Sequence, residues 1–227
     1  MNFEPIGHIH CDFATKFGIP RQSGLVNNLE SRIIMEPKYR NPEAFRGLED
    51  CTHIWLIWLF SEAIRDEWSP TVRPPRLGGE KRMGVFATRS PFRPNPIGLS
   101  SVLIKSIEYS QSTGPILHIL GADLMDGTPI LDIKPYLAYT DSHPDAKLGY
   151  VNNQAFLKLE VVFPPESASL IPEDKCNALK QILSLDPRPR CQHDPLRIYG
   201  MEFAGFEIQF TADERQLHVI SITPIDH

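Results

Sequence analysis

The stretch SSVLIKSIEYS, residues 100–110, sets Val102, Ile104 and Ser106 on one side of an extended chain and Leu103, Lys105 and Ile107 on the other. A period of two is the mark of a strand with one face on a core. Here it is imperfect, since a serine falls in the first row and an isoleucine in the second. Outward from this stretch, short runs rich in Ile, Val, Leu and aromatics, bounded by Gly, Pro and Asp, predict strands at 6–13, 52–60, 83–88, 99–109, 116–124 and 130–133. Helical spacing is scarce in this half, with short helices expected at 41–48 and 62–68. Without repeated strand–helix units, a doubly wound parallel sheet is disfavoured and a mainly antiparallel β-barrel is expected.

The texture changes at FPPESASLIPED, residues 163–174, which reads as a connector. The expected division is therefore a barrel domain over 1–162 and a small α+β module over 163–227. Within the module, Leu179, Ile182 and Leu183 have helical spacing over 174–185, and DPRPR (186–190) stops that helix because proline cannot continue its hydrogen bonds. Residues 199–210 and 217–225 predict two strands joined by TADERQ.

Composition narrows the function classes. The longest uninterrupted apolar run, residues 54–60, is far too short for a transmembrane helix. The start MNFEPIGHIHCDF lacks the basic and apolar blocks of a secretory signal, so a cytoplasmic protein is expected. Cys11, Cys51, Cys176 and Cys191 are widely spaced and form no Cys-x-x-Cys, which favours free thiols over disulfides or a zinc site. His8 and His10 could share one side of a strand, but no third ligand has a matching spacing, so no metal is expected. Cys191 and His193 are close in sequence, yet nothing else marks a nucleophilic site there.

A net charge of -5 argues against indiscriminate nucleic-acid coating. Locally the balance reverses, since Arg73, Arg76, Lys81, Arg82, Arg89 and Arg93 face the single acid Glu80. That segment is either a solvated face or a site for one defined anionic partner.

Four stretches mix Pro or Gly with charge: GIPRQSGL (18–25), RPPRLGGEKRMG (73–84), TRSPFRPNPIGLSS (88–101) and DLMDGTPILDIKPY (123–136). Each alone reads as a turn, and their prolines pre-order the loops before any ligand arrives. Together they offer Arg21, Arg76, Arg89 and Arg93 as forked donors to carboxylate or phosphate, and Asp123, Asp126 and Asp132 as acceptors. A ligand with an anionic end and amine groups would satisfy both sets. No Gly-x-Gly-x-x-Gly follows a strand and no Walker-type loop is present, so a Rossmann nucleotide site is unsupported.

IPRQSGL (19–25), RGLEDCTHIWLIWLF (46–60), TVRPPRLGGEKRMGVFATRSPFRPNPIGLS (71–100) and DLMDGTPILDIKPYL (123–137) resemble, almost segment for segment, the TsaA or YaeB-like family, now called TrmO. The resemblance spans residues 4–160 and extends more weakly through DPRPR and the terminal hairpin. It implies a single-sheeted β-barrel in place of the usual methyltransferase fold. It further implies transfer of a methyl group from S-adenosyl-L-methionine to N6 of threonylcarbamoyladenosine at tRNA position 37. A homodimer with the cofactor near the subunit interface goes with it.

Carried over motif by motif, Pro20, Arg21, Gln22, Ser61, Glu62, Arg89, Leu99, Leu124, Met125, Asp126 and Gly127 are the implied cofactor contacts. Ser61 departs from the family pattern, in which histidine is expected. Asp132 is the candidate to accept the N6 proton and Tyr136 the candidate to stack on the base, with a structural strand-end role for Asp132 as the alternative. Arg73, Arg76, Lys81, Arg82, Phe92 and Arg93 are the candidate contacts to the tRNA anticodon loop. Phe92 suits a stacking platform or loop packing equally. Arg188, Arg190 and Arg197 could extend the RNA contact or support the dimer. Two other classes stay open: a module that binds S-adenosyl-L-methionine or a nucleotide without catalysis, and a small metal-dependent hydrolase using Asp123, Asp126 and Asp132.

Overall fold

The apolar run His53–Leu59 forms β3, which turns Ile54, Leu56 and Trp58 inward. In the computed structural model, which describes residues 3–74, 81–147, 149, 158–189 and 194–225 (backbone only at 165 and 166), this strand is one stave of a closed barrel. The other staves are β1 (Gly7–His10), β2 (Glu30–Met35), β6 (Ile97–Ser110), β7 (Gly114–Leu120) and β8 (Pro129–Pro135). They close in the order β1-β2-β7-β6-β3-β8, and every pairing is antiparallel. Closure leaves no unpaired strand edge. Ile9, Ile33, Ile54, Leu56, Leu117, Ile119 and Ile130 fill the interior at zero exposure. Two short strands, β4 (Thr71–Val72) and β5 (Met83–Gly84), form a separate ribbon outside the barrel.

The broken alternation of residues 100–110 has a physical cause. Pairing of β6 with β7 slips between Ile104 and Ser106, a bulge that adds one residue and reverses the facing of the rest of the strand. Val102 and Ile104 pack on the interior before it, and Ile107 packs there after it.

Several expectations give way to the structure. β2 was not expected: its inward row is Ser31, Ile33 and Met35, so a serine opens the apolar alternation. Residues 83–88 hold only the two-residue β5 followed by a 3-10 turn, Val85–Ala87, because β5 has a partner only in the equally short β4. The helices expected at 41–48 and 62–68 are 3-10 turns, Pro42–Phe45, Leu48–Asp50 and Ser61–Ala63.

The C-terminal sheet runs β10 (Tyr199–Phe203), β11 (Phe206–Ala212), β12 (Gln216–Pro224) and β9 (Glu160–Val162), with β9 parallel to β12. Residues 199–210 are thus not one strand. They turn back at Ala204 and Gly205, both with positive φ (53° and 79°), the backbone a two-residue hairpin needs. β9 precedes the connector expected at 163–174, so the sheet recruits residues from the N-terminal side of that point. The helix Glu173–Ser184 presents Cys176, Leu179, Ile182 and Leu183 to this sheet, and Glu173 and Asp174 in its first turn suit the helix dipole.

Residues 11–29, which leave β1 and return to β2, pack on this module. Phe13, Val26 and Leu29 share its core, and the Phe13 and Phe203 rings are 5.3 Å apart. Lys175 Nζ meets Asp12 Oδ2 at 2.5 Å. Gly18, at φ 93°, lies where a β-carbon would collide with the Met201 side chain.

Candidate functional site

β3 and β6 run side by side, with Trp58 opposite Gly98 and Leu59 opposite Ile97. A β-carbon on Gly98 would fall 2.2 Å from the Trp58 indole, so the ring lies flat on bare backbone. Its Nε1–H donates to Ser100 Oγ at 3.0 Å, and Ser100 donates in turn to Asp123 Oδ1 at 2.5 Å. Phe60 N–H donates to Pro96 O at 2.8 Å, tying the end of β3 to the proline-rich segment that enters β6.

Above this floor lies a cleft of about 620 Å³, within the roughly 300–1,000 Å³ of small-molecule sites. Pro20, Arg21 and Gln22 line one wall, and Arg89, Arg93, Pro94, Asn95, Ile97 and Leu99 line the facing wall. Trp58, Phe60, Phe86, Gly98 and Asp123 complete it. Arg89 Nη1 donates to Gln22 Oε1, a clasp between the two walls. Arg93 Nη1 donates to Thr88 O at 3.2 Å, which shapes its own loop.

Among the described residues, Asp123 is the one carboxylate lining the cleft. Burial pushes its carboxyl above the ordinary range, partly offset by the Ser100 hydroxyl, backbone N–H groups of Asp123 and Ser23, and the Arg89 charge. The cleft thus offers guanidinium groups to an anion, one carboxylate to a cation and an aromatic floor to a planar group.

Of the cofactor contacts expected from sequence, Pro20, Arg21, Gln22, Arg89 and Leu99 come together here. Ser61 and Glu62 follow Phe60 in an exposed 3-10 turn outside the lining, where Glu62 pairs with Lys16 at 2.8 Å. The turn from Leu124 to Gly127 lies elsewhere. Leu124 is in the barrel interior, and its carbonyl accepts the Cys11 thiol at 3.3 Å. Met125 O accepts from the Thr128 hydroxyl, Asp126 Oδ1 accepts Cys11 N–H at 2.9 Å, and Gly127 turns with φ 75°. Asp126 instead lines a second cleft, about 390 Å³, with His10, Asp12, Arg32 and Lys175.

Asp132 and Tyr136 are also outside the main cleft. Asp132 is on β8, bonded to Lys134 Nζ at 2.8 Å and to Ile133 N–H at 2.9 Å. Tyr136 sits beside Trp55 and His53, with ring centroids 5.4 and 6.3 Å away. Among the expected RNA contacts, Arg93 lies in the cleft wall, and Phe92 is covered on one side by Arg65, whose Cζ is 3.8 Å from the ring centroid. Arg73 and Lys81 are exposed, and Arg82 donates to Thr71 Oγ1 at 3.0 Å. Arg76, Arg190, Cys191 and His193 lie outside the described residues.

Sequence reasoning missed Trp58, Phe60, Phe86 and Gly98 as lining residues, and named Asp123 only among three equivalent acids. The visible signal was Gly98 in PNPIGLSS, a glycine inside an otherwise apolar strand start, which marks close approach of another group. Among the described residues no group of three or more His, Cys, Asp or Glu is arranged to hold a metal, and no helix is long and apolar enough to cross a membrane. His8 pairs with Glu36 at 2.9 Å and His10 lies 3.6 Å from Asp126.

Comparison with known proteins gives these walls a family. Residues 8–142 match the model of the tRNA-methyltransferase O N-terminal domain, and residues 157–225 match that of the TrmO C-terminal domain. The chain belongs to the TrmO family. It is 37% identical over 232 residues to the tRNA (adenine(37)-N6)-methyltransferase of Escherichia coli K12, covering 99% of this chain and 98% of that one. A protein of the same name from Eikenella corrodens is 42% identical over 176 residues, which covers 77% of this chain and 98% of the relative. A probable S-adenosyl-L-methionine-binding protein of Pyrococcus abyssi is 35% identical over 158 residues, 70% of this chain and 79% of that one. The crystal structure of TrmO from Pseudomonas aeruginosa superposes with a TM-score of 0.78 at 31% identity, covering 98% of each chain. TrmO-type architecture accordingly extends over barrel and C-terminal sheet alike.

Proposed function

We propose that this chain transfers a methyl group from S-adenosyl-L-methionine to N6 of threonylcarbamoyladenosine at position 37 of tRNA. The observation that carries the reaction is the end-to-end likeness, over both domain models, to tRNA (adenine(37)-N6)-methyltransferases. What supports the cofactor is the chemistry of the main cleft. S-adenosyl-L-methionine has a carboxylate, an ammonium and a planar adenine. Arg21 and Arg89 suit the first, Asp123 the second, and the Trp58–Phe60 floor the third. When bound, the cofactor supplies a sulfonium-activated methyl group. The residues of this chain then have three tasks: to align donor and acceptor in line, to exclude water, and to accept the proton lost from N6.

The tRNA reaches this cleft over the exposed cationic loops, where Arg73, Lys81 and Arg82 hold phosphates and Arg93 meets the threonyl carboxylate. The barrel, residues 1–162, carries the cofactor. The enzyme acts as a cytoplasmic homodimer without a metal ion. Ile97, Leu99 and Leu103, all exposed on the outer face of β6, support pairing of two copies there. Such pairing offers Met125, Asp126, Gly127, Asp132 and Tyr136 a route to the cleft of the second copy.

The test is incubation with methyl-labelled cofactor and tRNA bearing or lacking the threonylcarbamoyl group. Label should enter the modified tRNA alone, and absence of label from both would overturn the assignment. The likeness to a cofactor-binding protein of Pyrococcus abyssi keeps a second reading, a binding module without catalysis. That reading requires cofactor binding with no transfer in the same assay.

A further inference from the structure

The DPRPR motif has no place in the reaction so far. Its first residue, Asp186, has φ 53°, the left-handed backbone that a residue with a β-carbon adopts at a cost and that glycine would adopt more readily. The aspartate carboxylate has a partner that glycine could not hold. Arg188, only 7% exposed, sends Nε to Asp186 Oδ1 at 2.8 Å and Nη2 to Asp186 Oδ2 at 3.1 Å. Its Nη1 donates to Ala212 O, and its Nη2 also donates to Asp213 O at 2.7 Å. The guanidinium is therefore spent inside the C-terminal module, locking a tight turn onto the end of β11. It is not presented to phosphates, as the sequence had allowed.

What this lock sets outward is a pair of backbone carbonyls. Arg21 Nη2 lies 3.4 Å from Asp186 O and 3.5 Å from Arg188 O. Arg21 lines the main cleft, and its neighbour Gln22 is clasped by Arg89 from the opposite wall. One run of contacts thus leads from the C-terminal sheet through Arg188, Asp186, Arg21 and Gln22 to Arg89.

We propose that the Asp186–Arg188 turn is a positioning element for the cofactor cleft: it aims Arg21 and so sets cofactor affinity from the C-terminal module. This rests on the reading that the loop 18–25 contacts S-adenosyl-L-methionine. The turn touches neither cofactor nor substrate. Its effect passes through Arg21, and a turn that only stabilised the module would leave cofactor affinity unchanged below the melting temperature.

The experiment measures the Kd of the full chain for S-adenosyl-L-methionine by calorimetry, with kcat, the KM for tRNA and melting curves alongside. Arg21→Ala and Arg188→Lys are each expected to weaken cofactor binding about tenfold, the worth of one hydrogen bond to a charged group. The KM for tRNA should stay near its native value. The double variant should bind no more weakly than Arg21→Ala alone, because both remove the same contact. Asp186→Asn keeps one acceptor oxygen and tolerates left-handed backbone, so its Kd should fall between the native and Arg188→Lys values; it carries the test if Arg188→Lys does not fold.

Native affinity in Arg188→Lys or Asp186→Asn beside a weakened Arg21→Ala would overturn this proposal and leave the cleft reading intact. Additive weakening in the double variant would overturn it as well. Native affinity in Arg21→Ala would remove the cofactor reading of the loop, and the proposal with it.

Discussion

Replacing Asp123 by asparagine separates charge from shape in the cleft. The amide oxygen can still accept from Ser100, so the Trp58–Ser100–123 run persists while the negative charge is lost. If that charge holds the cofactor's ammonium, a hydrogen bond to a charged group worth about 1.5–3 kcal/mol disappears, and the Kd rises roughly ten- to hundredfold. S-adenosylhomocysteine keeps the ammonium and lacks the sulfonium charge, so its affinity should fall by the same factor. Stability should move the other way. Burial raises the Asp123 carboxyl above its unfolded value of 3.8, so the folded chain holds that proton more tightly than the unfolded chain does. Native stability is therefore lost as pH rises through the interval between the two values, and the loss is complete above it. The asparagine variant escapes the loss: it should melt higher than the native protein at pH 7.5, with the gap closing toward pH 4. Calorimetric titration and melting curves at both pH values decide the matter. Unchanged affinity for both ligands together with a lower melting temperature would refute the reasoning and leave Asp123 a structural residue.

Four further outcomes are expected from the same geometry. Gly98→Ala forces the Trp58 ring off the backbone of β6; overpacking of this kind costs about 1–3 kcal/mol, read as a lower denaturant midpoint with weakened cofactor binding. Ala204→Gly relieves a positive φ in the β10–β11 turn and should stabilise the chain by about 0.5–1 kcal/mol in urea unfolding; a lower midpoint would count against the turn geometry. The Cys11 thiol, pushed up to about 12 chiefly by burial, should resist iodoacetamide at pH 8 in the folded protein and react on unfolding, as peptide mapping would register. Leu99→Asp places a charge on the exposed apolar row of β6 and should convert the proposed dimer to monomer in sedimentation; a native sedimentation coefficient would move the pairing surface elsewhere.

The barrel was legible where one face of a strand is uniformly apolar, as with Ile54, Leu56 and Trp58. It was obscured where a polar residue points inward. Ser31 hid β2, and the bulge at Lys105 made one strand look like a poor one by exchanging its faces midway. Residues 199–210 read as a single strand because Ala204 gives no sign that it adopts positive φ, while Gly205 alone is a weak signal. In the site, residue type alone offered Arg21 and Arg89, while Pro20, Gln22 and Leu99 were implied only by the family resemblance. The three acids 123, 126 and 132 were indistinguishable in sequence, since their roles depend on which way each faces. Asp123 enters the main cleft, Asp126 turns to the second cleft and the backbone of Cys11, and Asp132 pairs with a lysine on its own strand. The aromatic floor was missed for a related reason: Trp58 reads as ordinary core until the glycine opposite it is seen to be its seat.

The strand order of the C-terminal sheet has a consequence for biosynthesis. β12 lies between β11 and β9, so β9 has no strand to pair with until residues 216–224 have left the ribosome. The segment 11–29, made near the start of translation, leans on that sheet through Phe13 and Gly18 and on the adjoining helix through Asp12. Every barrel strand is complete by residue 135, and the barrel can close while synthesis continues. The loop that leaves β1 must wait. A nascent chain would hold a finished barrel while the segment between β1 and β2 still lacked the surface it packs on.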